Sequence, residues 1–310
     1  MFLLSRVNVP VHARFPGAGI SGDLSVRQPL ISGTITMIVK TMENILILTP
    51  VKDASGHLDT YFRLLDALTY DHARISLGFL ESDSTDDTYH ELEKRLPGLR
   101  SGFRSAGLWK KDFHFSLPEG KPRWALGIQQ ERRAVLARSR NHLLFRALED
   151  EDWVLWLDSD LIDYPPDIIQ RLLSTGKYIV HPNTVVRYGG NSFDRNAWRD
   201  KGRLHLHDLK HEGDLVRLDT VGGTMLFIKA DLHREGLVFP PFYFGNQNPL
   251  IRTRNRITSL RDAVNSLDPG ILAGKPVSGE IETEGLGIMA HEMGYECWGM
   301  PNLEILHKNS

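Results

Sequence analysis

The run Trp153-Val154-Leu155-Trp156-Leu157-Asp158-Ser159-Asp160 constrains this chain more than any other stretch. Five consecutive apolar residues, two of them Trp, predict a strand buried on both faces, as in the sheet of an α/β protein. The run then stops on two carboxylates one residue apart. In open α/β sheets ligands gather outside the carboxyl ends of the strands. Two carboxylates placed there can share one hard divalent cation, which in turn holds a diphosphate. A plainer reading stands beside this one. Asp158 or Asp163 would cap a helix opening near Pro165 and Pro166, since Asp is a favoured cap and Pro a favoured first helical residue. The run alone leaves both open.

The flanking segments alternate strand and helix. Ile45-Leu46-Ile47-Leu48 reads as a short buried strand closed by Thr49 to Asp53. Leu58, Phe62, Leu65 and Leu68 then recur at helical spacing behind a Ser55 cap. Ile75 to Leu80 is a second strand, and the acidic turn Glu81 to Asp87 suits a helix N-terminus while leaving a nucleotide role open. Gly, Pro and mixed aromatics over 97–128 predict a long surface loop with one strand around Phe113. A helix from about Gln129 to Glu149 carries Arg138 and Asn141 on one face, where an Arg fork can be merely solvated or can reach a phosphate. A helix from Ile168 and a strand at Tyr178-Ile179-Val180 complete an alternation that predicts a mostly parallel sheet.

The second half changes character. Leu204 to His207 and Leu215 to Leu218 read as short alternating strands, and Met225 to Ile228 as a longer one. Glu282-Thr283-Glu284-Gly285 opens a helix, and Tyr295 to Trp298 begins the last strand. His205, His207 and His211 are expected to be exposed strand histidines rather than metal ligands.

Composition narrows the function classes. A net charge of −2 without long runs of one sign argues against nucleic acid as a partner. Cys297 is the only cysteine, so an internal disulfide and a thiolate metal site are excluded. No stretch approaches the ~18 apolar residues of a membrane span, and no Gly-rich dinucleotide or P-loop motif occurs. Residues 1–42 are Pro-, Gly- and Ser-rich and are expected to be a poorly ordered extension. Residues 43–310 are expected to form a single domain, with a polar, Arg-rich inserted loop at about 248–279.

The blocks Leu48 to Ala54, Ile75 to Ser84, Gln130 to Arg133, Ala137 to Asn141, Trp153 to Pro166, Val221 to Pro241 and Glu282 to Gly285 occur in an order that resembles one family. The chain is similar to the fungal Golgi α-mannosyltransferases of the mannan-polymerase type, glycosyltransferase family 62. The resemblance implies a GT-A-type nucleotide-diphospho-sugar transferase fold. It also implies transfer of mannose, with retention, from GDP-mannose to a mannoside or N-glycan-type acceptor, with Mn²⁺ as cofactor. Asp158 and Asp160 match the family's metal-binding Asp-x-Asp, and His307 its C-terminal metal ligand. Pro50, Val51, Glu81 and Asp83 match positions that hold the nucleotide; Arg138 and Asn141, with Asp158, match those at the diphosphate. Phe193-Asp194-Arg195-Asn196-Ala197-Trp198 resembles a motif near the sugar, with Phe193 in place of Tyr. Asp194, Glu282 and Glu284 are then the carboxylates serving the sugars. The rival readings are a GT-A transferase using a different nucleotide sugar, and a non-catalytic glycan- or nucleotide-binding subunit. A complex with related mannosyltransferase subunits is a further implication. So is a place in the Golgi lumen if the family's N-terminal anchor is missing from this chain, and a soluble cytoplasmic one otherwise.

Overall fold

A computed structural model describes residues 42–117, 120, 126–245 and 279–309. The expected extension at 1–42 and inserted loop at 248–279 lie, apart from Met42 and Gly279, outside the described residues. The architecture is α/β. Strands β1 (Ile45–Val51), β2 (Ile75–Glu81) and β3 (Ser105–Lys110) alternate with helices α1 (Leu58–Asp66), α2 (Thr88–Gly102) and α3 (Leu126–Ala147). Then come β4 (Trp153–Leu157), β5 (Leu161–Asp163), α4 (Ile168–Ser174) and β6 (Ile179–Val185). The distal part holds a small ribbon, β7 (Trp198–Arg199) with β8 (Leu204–His205), then β9 (Val216–Leu218), β10 (Met225–Lys229) and α5 (Ala230–Arg234). Helix α6 (Glu282–Glu292) and the long strand β11 (Cys297–His307) complete it.

The main sheet runs β3-β2-β1-β4-β10-β6-β11-β5, with β9 on the side of β11. It is parallel from β3 through β4 and between β6 and β11, and antiparallel where β10, β5 and β9 pair. The sheet is therefore mixed rather than mostly parallel. The alternation over 45–181 cannot announce a strand from the distal half that inserts between β4 and β6.

Period-two alternation splits the strand side chains between two layers. Ile45, Ile47, Leu155, Leu157 and Phe227 face the layer that holds α1 and α4. Leu46, Leu48, Val154, Trp156 and Leu226 face the layer that holds Leu143 and Leu144 of α3 and Leu286 and Ala290 of α6. Each Trp of β4 anchors one layer: Trp153 stacks on Phe227 at 4.6 Å, and Trp156 meets Phe239 edge-on at 4.9 Å.

Local departures from the sequence reading have local causes. Phe113 lies in a loop after β3, because its N–H and that of His114 are held by the Asp83 carboxylate. Leu206 to Glu212 form a 3₁₀ helix, since Asp208 accepts from the His205 N–H and turns the chain there. Ser55 does not cap α1; its hydroxyl donates to Asp86, and His57 stands at the cap.

Candidate active site

The register of β11 builds the first part of the site. Its antiparallel pairing with β5 sets His307 opposite Leu161. His307 Nε2 thereby comes to 3.0 Å from Asp160 Oδ1. Its Nδ1 donates to the Lys308 carbonyl at 2.6 Å, and Phe193 stacks on the ring at 4.0 Å. Burial alone would lower the imidazole's pKa, but Asp160 reverses the shift and holds it above the ordinary histidine value. The plainer capping role falls away. Asp167 stands at the cap of α4 without a side-chain capping bond, its carboxylate instead taking Arg171 Nε at 2.8 Å, and Asp163 accepts the Tyr188 hydroxyl at 2.5 Å.

Asp158 follows β4 directly, two residues before Asp160 on the other side of Ser159. Its backbone N–H donates to the Thr224 carbonyl at 2.9 Å, because antiparallel β10 brings 221–224 alongside the turn. Arg140 of α3 reaches Asp158 Oδ1 at 3.4 Å and donates to the Gly223 carbonyl at 3.2 Å. Its other amino group pairs with Glu282. Burial pushes the Asp158 carboxyl well above the usual carboxylate range; Arg140 opposes this and Asp160 adds to it.

Glu282 is buried and has a φ of 61°, a left-handed conformation that costs a non-glycine residue on the order of 1–3 kcal/mol. Glu284, in the first turn of α6, is clamped on both oxygens: Trp198 Nε1 donates to one and Arg133 Nη2 meets the other, each at 2.5 Å.

Asp194 lies behind the turn. One oxygen accepts from Gly223 N–H at 2.8 Å, Thr224 N–H at 3.1 Å and Thr224 Oγ1 at 2.7 Å. The other accepts from Asn196 N–H at 3.2 Å. Fully buried His181 stands 3.5 Å away. Burial alone would raise the Asp194 pKa, but His181 and Thr224 hold it well below the usual range. Gly222 is required here, since a Cβ on it would sit 2.2 Å from Asp194 Oδ2 and 2.6 Å from His181 Nε2.

Comparison with known proteins gives the chain's family. The Anp1 family profile matches residues 32–211 and 202–243. The chain belongs to the Anp1 family. It is 30% identical over 312 residues to the mannan polymerase complex subunit MNN9 of Candida albicans, across 86% of this chain and 75% of that one. It is 28% identical to the mannan polymerase II complex anp1 subunit of Schizosaccharomyces pombe, across 86% of this chain and 64% of that one. Against the Saccharomyces cerevisiae ANP1 subunit, also 28% identical, it spans 55% of the relative's length. A solved mannosyltransferase, PcManGT from Pyrobaculum calidifontis in complex with GDP-Man and Mn²⁺, is similar with a TM-score of 0.49 and 13% identity, over 86% of this chain and 57% of that one.

In this Anp1-family chain the other expected residues divide. Pro50 and Val51 end β1 and Glu81 ends β2, on the same sheet edge as Asp158. Glu81 is wholly buried, takes the Ser84 N–H at 2.9 Å and faces Lys110 at 3.4 Å. Asp83 turns its carboxylate to the backbone of 113–115, which lowers its pKa against the opposing effect of burial. Asn141 is pinned to the Phe239 backbone through both amide atoms, at 2.7 and 2.9 Å. Arg138 is exposed, with its guanidinium 6.0 Å above Phe113.

The arginine at the Asp-x-Asp turn is Arg140, which the sequence reading passed over. A signal was present. Ala137, Arg140 and Leu144 recur at spacings of three and four, which puts Arg140 on the apolar stripe of α3 and Arg138 off it. An Arg on a core stripe demands buried carboxylate partners. His181 gave no such signal, because its partner Asp194 is distant in sequence.

The carboxylates and imidazole fit a divalent cation in kind. His307 donates through Nδ1, so its neutral form presents Nε2 as a lone pair beside Asp160, the arrangement that orients metal-ligating histidines. Among the described residues no group of three His, Cys, Asp or Glu side chains stands close enough together to hold a metal ion. A cation here would therefore also draw on oxygens of its ligand.

Proposed function

We propose that this chain is a metal-dependent glycosyltransferase that moves mannose from GDP-mannose to a mannoside or N-glycan-type acceptor with retention, working with related subunits in the Golgi lumen. The observation that carries the reading is the pairing of Asp160 with His307 beside Asp158, at the carboxyl end of the central strand. Asp158, Asp160 and His307 would hold Mn²⁺, whose charge, when bound, stabilises the departing diphosphate. The chain's own residues prepare that position. Arg140 fixes Asp158 against Gly223, Phe193 and Lys308 fix the His307 ring, and the Asp194 clasp fixes the loop beside both. Fixed carboxylates matter because a misplaced cation loses much of its catalytic effect. The names of the relatives support mannose transfer and membership of a complex.

Turnover of GDP-mannose with Mn²⁺, with EDTA, and in Asp160→Asn tests this reading. Turnover abolished by chelator and by the variant is expected. Turnover of a UDP-sugar in its place moves the assignment to another donor. GDP binding without turnover of any sugar nucleotide makes the chain a non-catalytic subunit.

A further inference from the structure

Phe242 and Tyr243 are adjacent aromatic residues that are 62% and 44% exposed, on a strip whose backbone is held at both ends. Phe239 is pinned by Asn141 of α3. The Glu282 N–H donates to the Pro240 carbonyl at 2.9 Å, and Phe244 and Glu280 exchange two backbone hydrogen bonds at 2.7 Å. A folded chain gains nothing in stability by holding two neighbouring rings in water, so such a fixed apolar patch points to a ligand. The rings line a cleft of about 330 Å³ together with Gln130, Glu131, Ala134 and Pro241. That volume lies at the low end of the range for small-molecule sites, about 300–1,000 Å³.

The lining chemistry is that of saccharide recognition. An aromatic plane matches the apolar C–H face of a pyranose, while an amide and a carboxylate take up its hydroxyls. The place along the fold sets which sugar this would be. Gln130, Glu131 and Ala134 lie on α3, the helix that carries Arg140 to the Asp-x-Asp turn. At ~1.5 Å rise per residue, Ala134 is ~9 Å and Glu131 ~13.5 Å along the axis from Arg140. The strip itself leads through Glu280 and Glu282 to the same arginine. The cleft is therefore joined to the site and set back from Arg140 by ~9–13.5 Å along α3.

We infer that this cleft is a distal acceptor subsite, in which Phe242 and Tyr243 stack on a pyranose of an oligosaccharide chain at a distance from its reacting end. The inference rests on the glycosyltransferase reading above. It assigns acceptor-length preference to residues outside the carboxylate cluster.

The test is calorimetric binding of α-linked manno-oligosaccharides, from disaccharide to hexasaccharide, to the full chain and to Phe242→Ala and Tyr243→Ala. Wild-type affinity should rise with chain length. Each variant should flatten that rise and bind the hexasaccharide about tenfold more weakly, a change of ~1.4 kcal/mol. The disaccharide affinity, the thermal midpoint and GDP affinity should stay as in wild type, and Phe242→Tyr should restore the length dependence. Variants that bind the hexasaccharide like wild type, or a wild type that turns over GDP-mannose but binds no oligosaccharide, overturn the subsite. Length-dependent binding that the variants abolish, in a chain that turns over no sugar nucleotide, keeps the subsite and overturns the transferase reading instead.

Discussion

Arg140 Nη2 stands 3.4 Å from Asp158 Oδ1 while its other amino group pairs with Glu282, so one guanidinium from α3 joins the Asp-x-Asp turn to the first turn of α6. The guanidinium and the Glu282 carboxylate are both nearly inaccessible to water. In such surroundings the pair matters less for what it adds than for what its loss leaves behind.

Arg140→Met should therefore destabilise the chain by about 3–5 kcal/mol, the usual result of stranding one member of a buried pair. Arg140→Met combined with Glu282→Met should recover part of that loss, because the buried Glu282 carboxylate is then no longer left unpaired, although Asp158 still loses its arginine. Urea denaturation of the two variants checks this. Equal stability of Arg140→Met and wild type would show that Glu282 finds another partner.

Asp194 gives a prediction opposite in kind to the one its sequence motif suggests. A carboxylate that contacts sugar should, when changed to Asn, leave the melting temperature alone and reduce transfer. Here its oxygens accept from Gly223, Thr224 and Asn196. Asp194→Asn should thus cost about 1–3 kcal/mol of stability. The pH dependence follows from the sign of the shift. The folded-state pKa is depressed, so the stabilisation is complete above the unfolded value of about 3.9 and is lost as pH falls toward the folded one. Urea midpoints between pH 3 and pH 7 should show a decline below about pH 4 in wild type that is reduced in the variant. An unchanged midpoint with lost transfer would return Asp194 to the sugar.

The two glycines before Thr224 supply a steric test of the same clasp. A Cβ on Gly223 would lie 2.4 Å from Arg140 Nη2, and one on Gly222 would lie 2.2 Å from Asp194 Oδ2. Neither distance is possible without displacing a buried side chain. Gly222→Ala and Gly223→Ala should lower the thermal midpoint and weaken GDP binding. Gly56→Ala, whose Cβ meets nothing within 4 Å, serves as the neutral comparison. Wild-type midpoints in both clasp variants would mean that the loop has room to move.

The strand that carries the site was legible because its signal is local. Five apolar residues ending on Asp158 and Asp160 imply both the burial and the position. The order of the blocks carried His307 to the site, although nothing near it in sequence does so. What was not legible is relational. Whether Arg138 or Arg140 faces the turn depends on the rotation of α3, which only the full apolar stripe reports. The roles of Asp194, Glu282 and Glu284 depend on which donors the fold brings to their oxygens. Those donors lie on distant segments, such as Arg133 for Glu284 and Gly223 for Asp194. A motif can thus identify an acidic residue as necessary without showing whether it meets a sugar or an arginine.

Glu284 separates those two roles most sharply. Two of its partners, Trp198 Nε1 and Arg133 Nη2, are hydrogen-bond donors at 2.5 Å, and the Glu280 carboxyl also stands against it. A Gln at this position keeps the shape but offers one acceptor oxygen and one donor nitrogen. One of the two partners must then face an N–H instead of an oxygen, and Arg133 loses its counter-charge. Glu284→Gln should lower the thermal midpoint, with transfer falling along with the folded fraction. Arg133→Met should be destabilising too, and the double variant should be less destabilised than the sum of the singles by about 0.5–3 kcal/mol, the range for residues in direct contact. A sugar contact predicts a different pattern, in which the midpoint is kept, the cycle is additive and transfer to an acceptor mannoside is lost. The paired measurement is denaturation of all four chains alongside mannosyl transfer at a temperature where each is folded. An additive cycle would refute the clamp and leave Glu284 free to serve the acceptor.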